Sequence, residues 1–202
     1  LRRLVGSEMC IRDRSLSNLS DGRMRHAKSG QWWETAPQMA LANNSVCYTD
    51  KPDGETFLRE WTSLVESKSG ERGIFNRISA QEQAKKFGRR DPDYEFGTNP
   101  CSEIILRPYQ FCNLTEVVIR EKDRFEDLKR KVMLATILGT AQSTLTKFPY
   151  LRKVWKDNTE EERLLGVSLT GIMDNELTSG KKHGLDKTLE ALRQVAVETN
   201  KE

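Results

Sequence analysis

The segment Asn99-Pro100-Cys101-Ser102-Glu103 sets a carboxamide, a thiol and a carboxylate within five positions, and a second thiol follows eleven residues after the first, in Phe111-Cys112-Asn113. A thiol beside a carboxylate can divide a reaction between hydrogen transfer and proton transfer. A second thiol close in space can supply reducing equivalents by closing a disulfide. In an extended loop, side chains two apart point the same way, so Asn99, Cys101 and Glu103 are expected to converge on one ligand. The residue types also fit a plainer role. Cysteines in a mixed loop and strand serve as small buried hydrophobes, Asn99 before Pro100 is an ordinary turn residue, and Glu103 can pair with a base such as Arg107. Spacing alone does not name the reaction.

Positioning such a loop takes regular elements on either side. The spacing predicts a short helix over Ser20 to Lys28 and a strand over Asn43 to Thr49, stopped by Pro52. Asp53 is expected to cap a helix with Phe57, Trp61, Leu64 and Val65 on one face. Gly73 to Phe75 reads as a short buried strand. Ser79 with Glu82 forms a capping-box pattern opening a helix that stops at Gly88. Residues 89–100 lack periodicity and read as loop. Glu103 to Leu106 reads as extended and Thr115 to Ile119 as β-prone. Asp123 and Glu126 repeat the cap pattern before a long helix carrying Phe125, Leu128, Val132, Ala135, Leu138, Ala141 and Leu145. Leu165 to Met173 reads as a buried strand. Asp186 is expected to cap a final helix with Leu189, Leu192 and Val195 or Ala196 inward. Strands alternating with helices favour an α/β sheet or barrel over a bundle.

Composition narrows the function classes. The 202 residues carry 33 basic and 30 acidic side chains for a net charge of +3, and the signs are interleaved, as in Glu121-Lys122-Asp123-Arg124. Interleaved charge describes solvated faces, not a nucleic-acid stripe. No run approaches the roughly 20 apolar residues of a membrane span. No secretory leader is visible, so reduced thiols in a cytoplasm are expected. The four cysteines, Cys10, Cys47, Cys101 and Cys112, show no Cys-x-x-Cys spacing, and His26 and His183 lie far from them, so no metal site is expected. Residues 1–14 form a segment that resembles a translated sequencing-adapter remnant; it is set aside as a non-native leader, with Cys10 in it. The final helix reaches the last residue without a stop signal, which reads as truncation at that end too.

The loop, in its surroundings, is similar to the finger loop of ribonucleotide reductases. Asn99-Pro100-Cys101-Ser102-Glu103 and Cys112 are accompanied in order by Arg25-His26-Ala27-Lys28-Ser29-Gly30-Gln31-Trp32-Trp33, Ala42-Asn43-Asn44-Ser45, Ser69-Gly70-Glu71-Arg72-Gly73-Ile74-Phe75-Asn76-Arg77 and Leu165-Gly166-Val167-Ser168-Leu169-Thr170-Gly171-Ile172. Over about Ser15 to Glu202 the text resembles the adenosylcobalamin-dependent, class II branch, of the ribonucleoside-triphosphate reductase type. The resemblance implies that residues 15–202 are part of a ten-stranded α/β barrel with a central finger loop, truncated at both ends. It implies that Cys101 becomes a thiyl radical taking the 3′ hydrogen of a ribonucleotide, that Glu103 is the base on the 3′ hydroxyl, that Asn99 orients the ribose, and that Cys112 is one of two reducing thiols. It further implies adenosylcobalamin as cofactor, a nucleotide effector, and thioredoxin or a similar dithiol as reductant. Cys47 has no matching context and is expected in the core; the partner of Cys112 and a carboxy-terminal cysteine pair are missing, so these residues alone are expected to be inactive. Two alternatives stand beside this reading: the large subunit of a diiron-dependent ribonucleoside-diphosphate reductase, and a non-catalytic nucleotide-binding module.

Overall fold

The computed structural model describes residues 13–181 and 183–202; Cys10 and the rest of residues 1–12 lie outside them. The chain divides into two compact units, one running to Pro108 and the other Tyr109–Glu202.

The first unit is built around strand β2 (Ala42–Tyr48), flanked by β1 (Asp13–Ser17) and β3 (Gly73–Asn76), both parallel to it. Parallel strands are covered on both faces, so they read as continuous buried runs. β2 does so, being buried without interruption from Asn44 to Tyr48. Asp13 and Arg14, at the end of the segment set aside above, are the first residues of β1. Two short helices, α1 (Gly22–Arg25) and α2 (Trp32–Thr35), and a 3-10 turn at Pro37–Leu41 carry the chain from β1 to β2. Helix α3 (Gly54–Ser67) carries it from β2 to β3 and is capped, as expected, by Asp53, whose carboxylate accepts from the Thr56 amide at 2.9 Å.

Helix α4 (Arg77–Phe87) starts two residues before the Ser79 cap that the sequence suggests. Asn76 ends β3 with extended backbone, and its side chain already accepts from the Ser79 amide at 3.1 Å. Helix α1, expected over Ser20 to Lys28, spans only Gly22–Arg25 and is capped by Asp21, whose carboxylate accepts from the Met24 amide at 3.1 Å. A two-residue antiparallel pair, β4 (Gly97–Thr98) and β5 (Ile105–Leu106), brackets the Cys101 loop.

What α3 buries is not its apolar face. Phe57 and Trp61 stack on each other at 6.2 Å, yet both are exposed, as are Leu58 and Val65. The buried residue is Glu60, clamped between Arg25 and Arg72. Arg72 donates from Nε to the Glu60 carboxylate at 3.1 Å and from Nη1 to the Ser17 hydroxyl at 2.7 Å. Arg25 donates to the same carboxylate from Nε at 2.7 Å. Burial pushes the Glu60 carboxyl up, but the hydrogen bonds and charges of Arg72 and Arg25 together outweigh it and hold the pKa below the usual glutamate value.

The second unit pairs β6 (Asn113–Val118) with β7 (Leu165–Thr170) in parallel, from Asn113 opposite Leu165 to Val118 opposite Thr170. Between them run α5 (Phe125–Ser143) and α6 (Lys153–Glu162); α7 (Leu185–Thr199) follows β7. Val117, Ile119, Leu128, Val132 and Leu192 form an apolar core, with Phe125, Val167, Leu169, Val195 and Ala196 packed against it. Of the inward residues expected of α5 and α7, Leu138, Ala141, Leu145 and Leu189 are exposed instead, and the others are buried or half-buried. Gly139 sits where α5 meets the sheet: a Cβ there would lie 2.2 Å from Leu165 Cδ1 and 3.2 Å from Thr115 Cγ2.

In the second unit, too, element boundaries differ from the sequence reading. At α5 the Arg124 amide donates to the Asp127 carboxylate at 2.9 Å, while Asp123 accepts from the Arg120 amide and pairs with Lys131 instead of capping. Gly184, not Asp186, precedes the first turn of α7. β7 stops at Thr170 because Gly171 turns the chain at φ +74°, where a Cβ would meet the Ile119 carbonyl oxygen at 2.4 Å; a 3-10 turn at Ile172–Asp174 follows. Helix α6 has no counterpart in the sequence reading, since Val-Trp is nearly all the apolar text it offers. Parallel strands joined through helices make the architecture α/β, as expected.

Candidate active site

The Cys101 loop rises from the β4–β5 hairpin, whose stem is only two residue pairs long: Gly97 with Leu106 and Thr98 with Ile105. So short a ladder is marginal by itself, and side chains reinforce it. Arg77 Nε donates to the Phe96 carbonyl at 2.8 Å, and Arg90 Nη1 to the Ile105 carbonyl at 2.8 Å. The Arg90 guanidinium also lies 4.8 Å from the ring centre of Phe96, which is fully buried among Ala80 and Ala84 of α4. Arg107 covers the Tyr94 ring at 4.6 Å.

Above the stem the chain makes a turn rather than an extended run. The Ser102 amide donates to the Asn99 carbonyl at 3.0 Å. Asn at the first position of a turn and Pro at the second suit this geometry, because Pro presets φ for the second position. The alternation of side chains expected for an extended loop therefore does not apply. Ser102 takes a left-handed conformation at φ +69°. The Asn99 carboxamide oxygen accepts from the Ile104 amide at 3.1 Å, and the Asn99 amide donates to the Ile104 carbonyl at 3.2 Å. The Thr98 hydroxyl donates to that same carbonyl at 3.0 Å. From the other side Arg14 Nε donates to the Pro100 carbonyl at 2.7 Å, and its Nη1 reaches the Ser45 hydroxyl at 2.6 Å.

The loop thus presents Cys101, Ser102 and Glu103 outward, all exposed, while Asn99 is half-buried and turned into the loop through its oxygen. Asn99 fills a structural role that the sequence reading held open beside the ligand-facing one. Thr98, Arg77 and Arg90 hold the loop as well and were not picked out from the sequence. The available signal for Thr98 was a hydroxyl residue directly before an Asn-Pro turn.

Cys112 belongs to the second unit and is half-buried just before β6. Its neighbours fix it. Asn113 donates to the Leu164 carbonyl from its amide at 2.8 Å and from its side chain at 3.3 Å. Phe111 packs on Trp155 of α6 at 4.6 Å and on Phe148 at 5.2 Å between ring centres. Cys47 is buried in β2, and burial pushes its thiol pKa up. Trp33 is exposed and meets Trp32 edge-on at 6.1 Å. Among the described residues no group of His, Cys, Asp and Glu could hold a metal ion. None of the described helices is long and apolar enough to cross a membrane.

No protein-family model matches the chain. Curated proteins do match it. An enzyme of Lacticaseibacillus paracasei is 34% identical over 143 residues, 66% of this chain and 17% of its own length. One of Lactobacillus gasseri is 32% identical over 142 residues, 66% of this chain and 18% of its own. One of Lactobacillus delbrueckii subsp. bulgaricus is 31% identical over 143 residues, 62% of this chain and 18% of its own. Over these residues the chain is similar to ribonucleotide reductases. Its particular kin carry the name adenosylcobalamin-dependent ribonucleoside-triphosphate reductase, and the chain spans 17–18% of the length of these relatives.

Proposed function

We propose that residues 15–202 are the finger-loop portion of the catalytic α/β barrel of an adenosylcobalamin-dependent ribonucleoside-triphosphate reductase, a cytoplasmic enzyme that converts ribonucleotides to deoxyribonucleotides. The observation that carries the reading is the Asn99-Pro100-Cys101-Ser102-Glu103 turn, which offers one thiol at its tip in a chain homologous to these reductases.

In this reading the Cys101 sulfur, as a thiyl radical, abstracts the 3′ hydrogen of the ribose and gives it back once the 2′ position is reduced, which returns the radical to the sulfur. Glu103 takes the 3′ hydroxyl proton. Asn99 has its oxygen engaged by the Ile104 amide, so its NH2 is the group left to donate to the sugar. Cys112 and a second thiol give two electrons and two protons as the 2′ hydroxyl leaves as water, ending as a disulfide that thioredoxin or a similar dithiol reduces. Cys47 is a poor candidate for that second thiol, being buried in β2. A nucleotide effector completes the proposed partners.

Adenosylcobalamin, when bound, supplies the radical chemistry that oxidises the thiol. The residues described here fit that role in one respect, an exposed sulfur open to a large group, but they form no cradle for the macrocycle. Among the described residues a groove of about 560 Å³ runs along Leu114, Val118, Leu134 and Leu138 of β6 and α5, and no cysteine lines it. Holding the cofactor is therefore assigned to other parts of the enzyme.

The test uses the full-length enzyme. Cys101→Ser is expected to abolish reduction while leaving nucleotide binding nearly intact, and Cys112→Ser to stop turnover with a physiological dithiol. Deoxynucleotide formation at the parental rate by Cys101→Ser would overturn the assignment.

A further inference from the structure

The thiol sits on a loop of six residues, 99–104, whose stem supplies only two ladder pairs. What closes the loop directly beneath the sulfur is a knot of polar groups from two adjacent residues. The Asn99 and Ile104 backbones bond across the neck at 3.2 Å, and the Asn99 oxygen takes the Ile104 amide at 3.1 Å. The Thr98 hydroxyl adds the third bond, to the Ile104 carbonyl at 3.0 Å, and lies 3.4 Å from the Asn99 oxygen. Thr98 is half-buried and its β-branched side chain has few rotamers, so the hydroxyl is held where it bonds. The Ile104 peptide is thereby gripped on both of its sides, and Ile104 directly follows Glu103.

From this geometry we propose that Thr98 is a positioning residue for the thiol and the carboxylate: its hydroxyl, acting through the Ile104 peptide and the Asn99 carboxamide, fixes the height and direction at which Cys101 and Glu103 face the substrate. The inference rests on the radical reading of Cys101 given above. Thr98 itself touches neither substrate nor cofactor. Its effect belongs to alignment, where a displacement of about 1 Å can cost on the order of a hundredfold in rate.

The experiment compares Thr98→Val, which keeps shape and loses the hydroxyl, with Thr98→Ser, which keeps the hydroxyl, in the full-length enzyme. Thr98→Val is expected to lower kcat about tenfold with KM for the nucleotide within about twofold, consistent with lost alignment rather than lost binding. Thr98→Ser is expected to restore at least half of the parental kcat. Amide hydrogen exchange supplies a readout independent of turnover: exchange at Asn99 and Ile104 should accelerate in Thr98→Val and not in Thr98→Ser, with β2 and α4 unchanged. Parental kcat and parental exchange in Thr98→Val would overturn the proposal, as would equal losses in Val and Ser. Should Cys101→Ser retain activity, the radical reading fails by itself, and the exchange comparison still decides whether Thr98 closes the neck.

Discussion

Both units bury apolar side chains, Phe96 with Ala80 and Ala84 in the first, but they differ in what else restrains them. The first holds a buried carboxylate between two guanidiniums, Glu60 with Arg25 and Arg72, and fastens its Cys101 loop with donors aimed at single carbonyls, from Arg77, Arg90 and Thr98. The second relies on Val117, Ile119, Leu128, Val132 and Leu192, apolar side chains in mutual contact. Apolar packing is non-directional and tolerant of small shifts, whereas a hydrogen bond fixes an angle and a distance. A loop proposed to aim one sulfur gains from the second kind of restraint, whereas β6 and β7 are backed mainly by the first.

This contrast can be broken most forcefully at Glu60. Glu60→Ala leaves the buried Arg72 guanidinium and the half-buried Arg25 without their carboxylate and is expected to cost about 3–5 kcal/mol of stability, read by denaturant unfolding. Acid should act in the same direction. The folded pKa of Glu60 is depressed, so its contribution is complete above the ordinary glutamate pKa and is lost as pH falls through the lower folded value. Amide protection in β2 and α3 should therefore fade in acid before that in α5 and α7; simultaneous loss would erase the distinction between the units. Next in size, Leu128→Ala in the second unit should cost about 2–5 kcal/mol by leaving a cavity, with little added pH dependence. Asn76→Ala, which removes the cap of α4, should cost about 1 kcal/mol. At the small end, Arg59→Ala removes an exposed pair with Glu55 and should leave the unfolding midpoint unchanged within error.

Much of this was legible in the sequence where a periodic pattern met a punctuating residue. The β2 run before Pro52, the Asp53 cap, the stop at Gly88 and the inward Leu128 and Val132 of α5 all follow from local rules. What was not legible depended on partners far along the chain. Nothing near Glu60 announces that Arg25 and Arg72 will enclose it, and a helix with Phe57 and Trp61 on one side reads as if that side were buried. Helix α6 escaped notice because its text is mostly charged and polar. At the candidate site the residue types of Asn99, Cys101, Glu103 and Cys112 were readable, but not that Asn99 would spend its oxygen on Ile104, since that bond exists only once the chain has reversed between β4 and β5.

The left-handed backbone at Ser102 limits what can follow the thiol. Glycine adopts that conformation without a Cβ penalty, and asparagine or aspartate tolerate it better than other residues do. Valine, isoleucine or threonine at 102 would have to force the loop into another shape. Substitution at this position is thus filtered by a torsion angle and not by any part in the chemistry, and a family of functional variants selected at 102 should consist of small or turn-forming residues however varied the loops around them become.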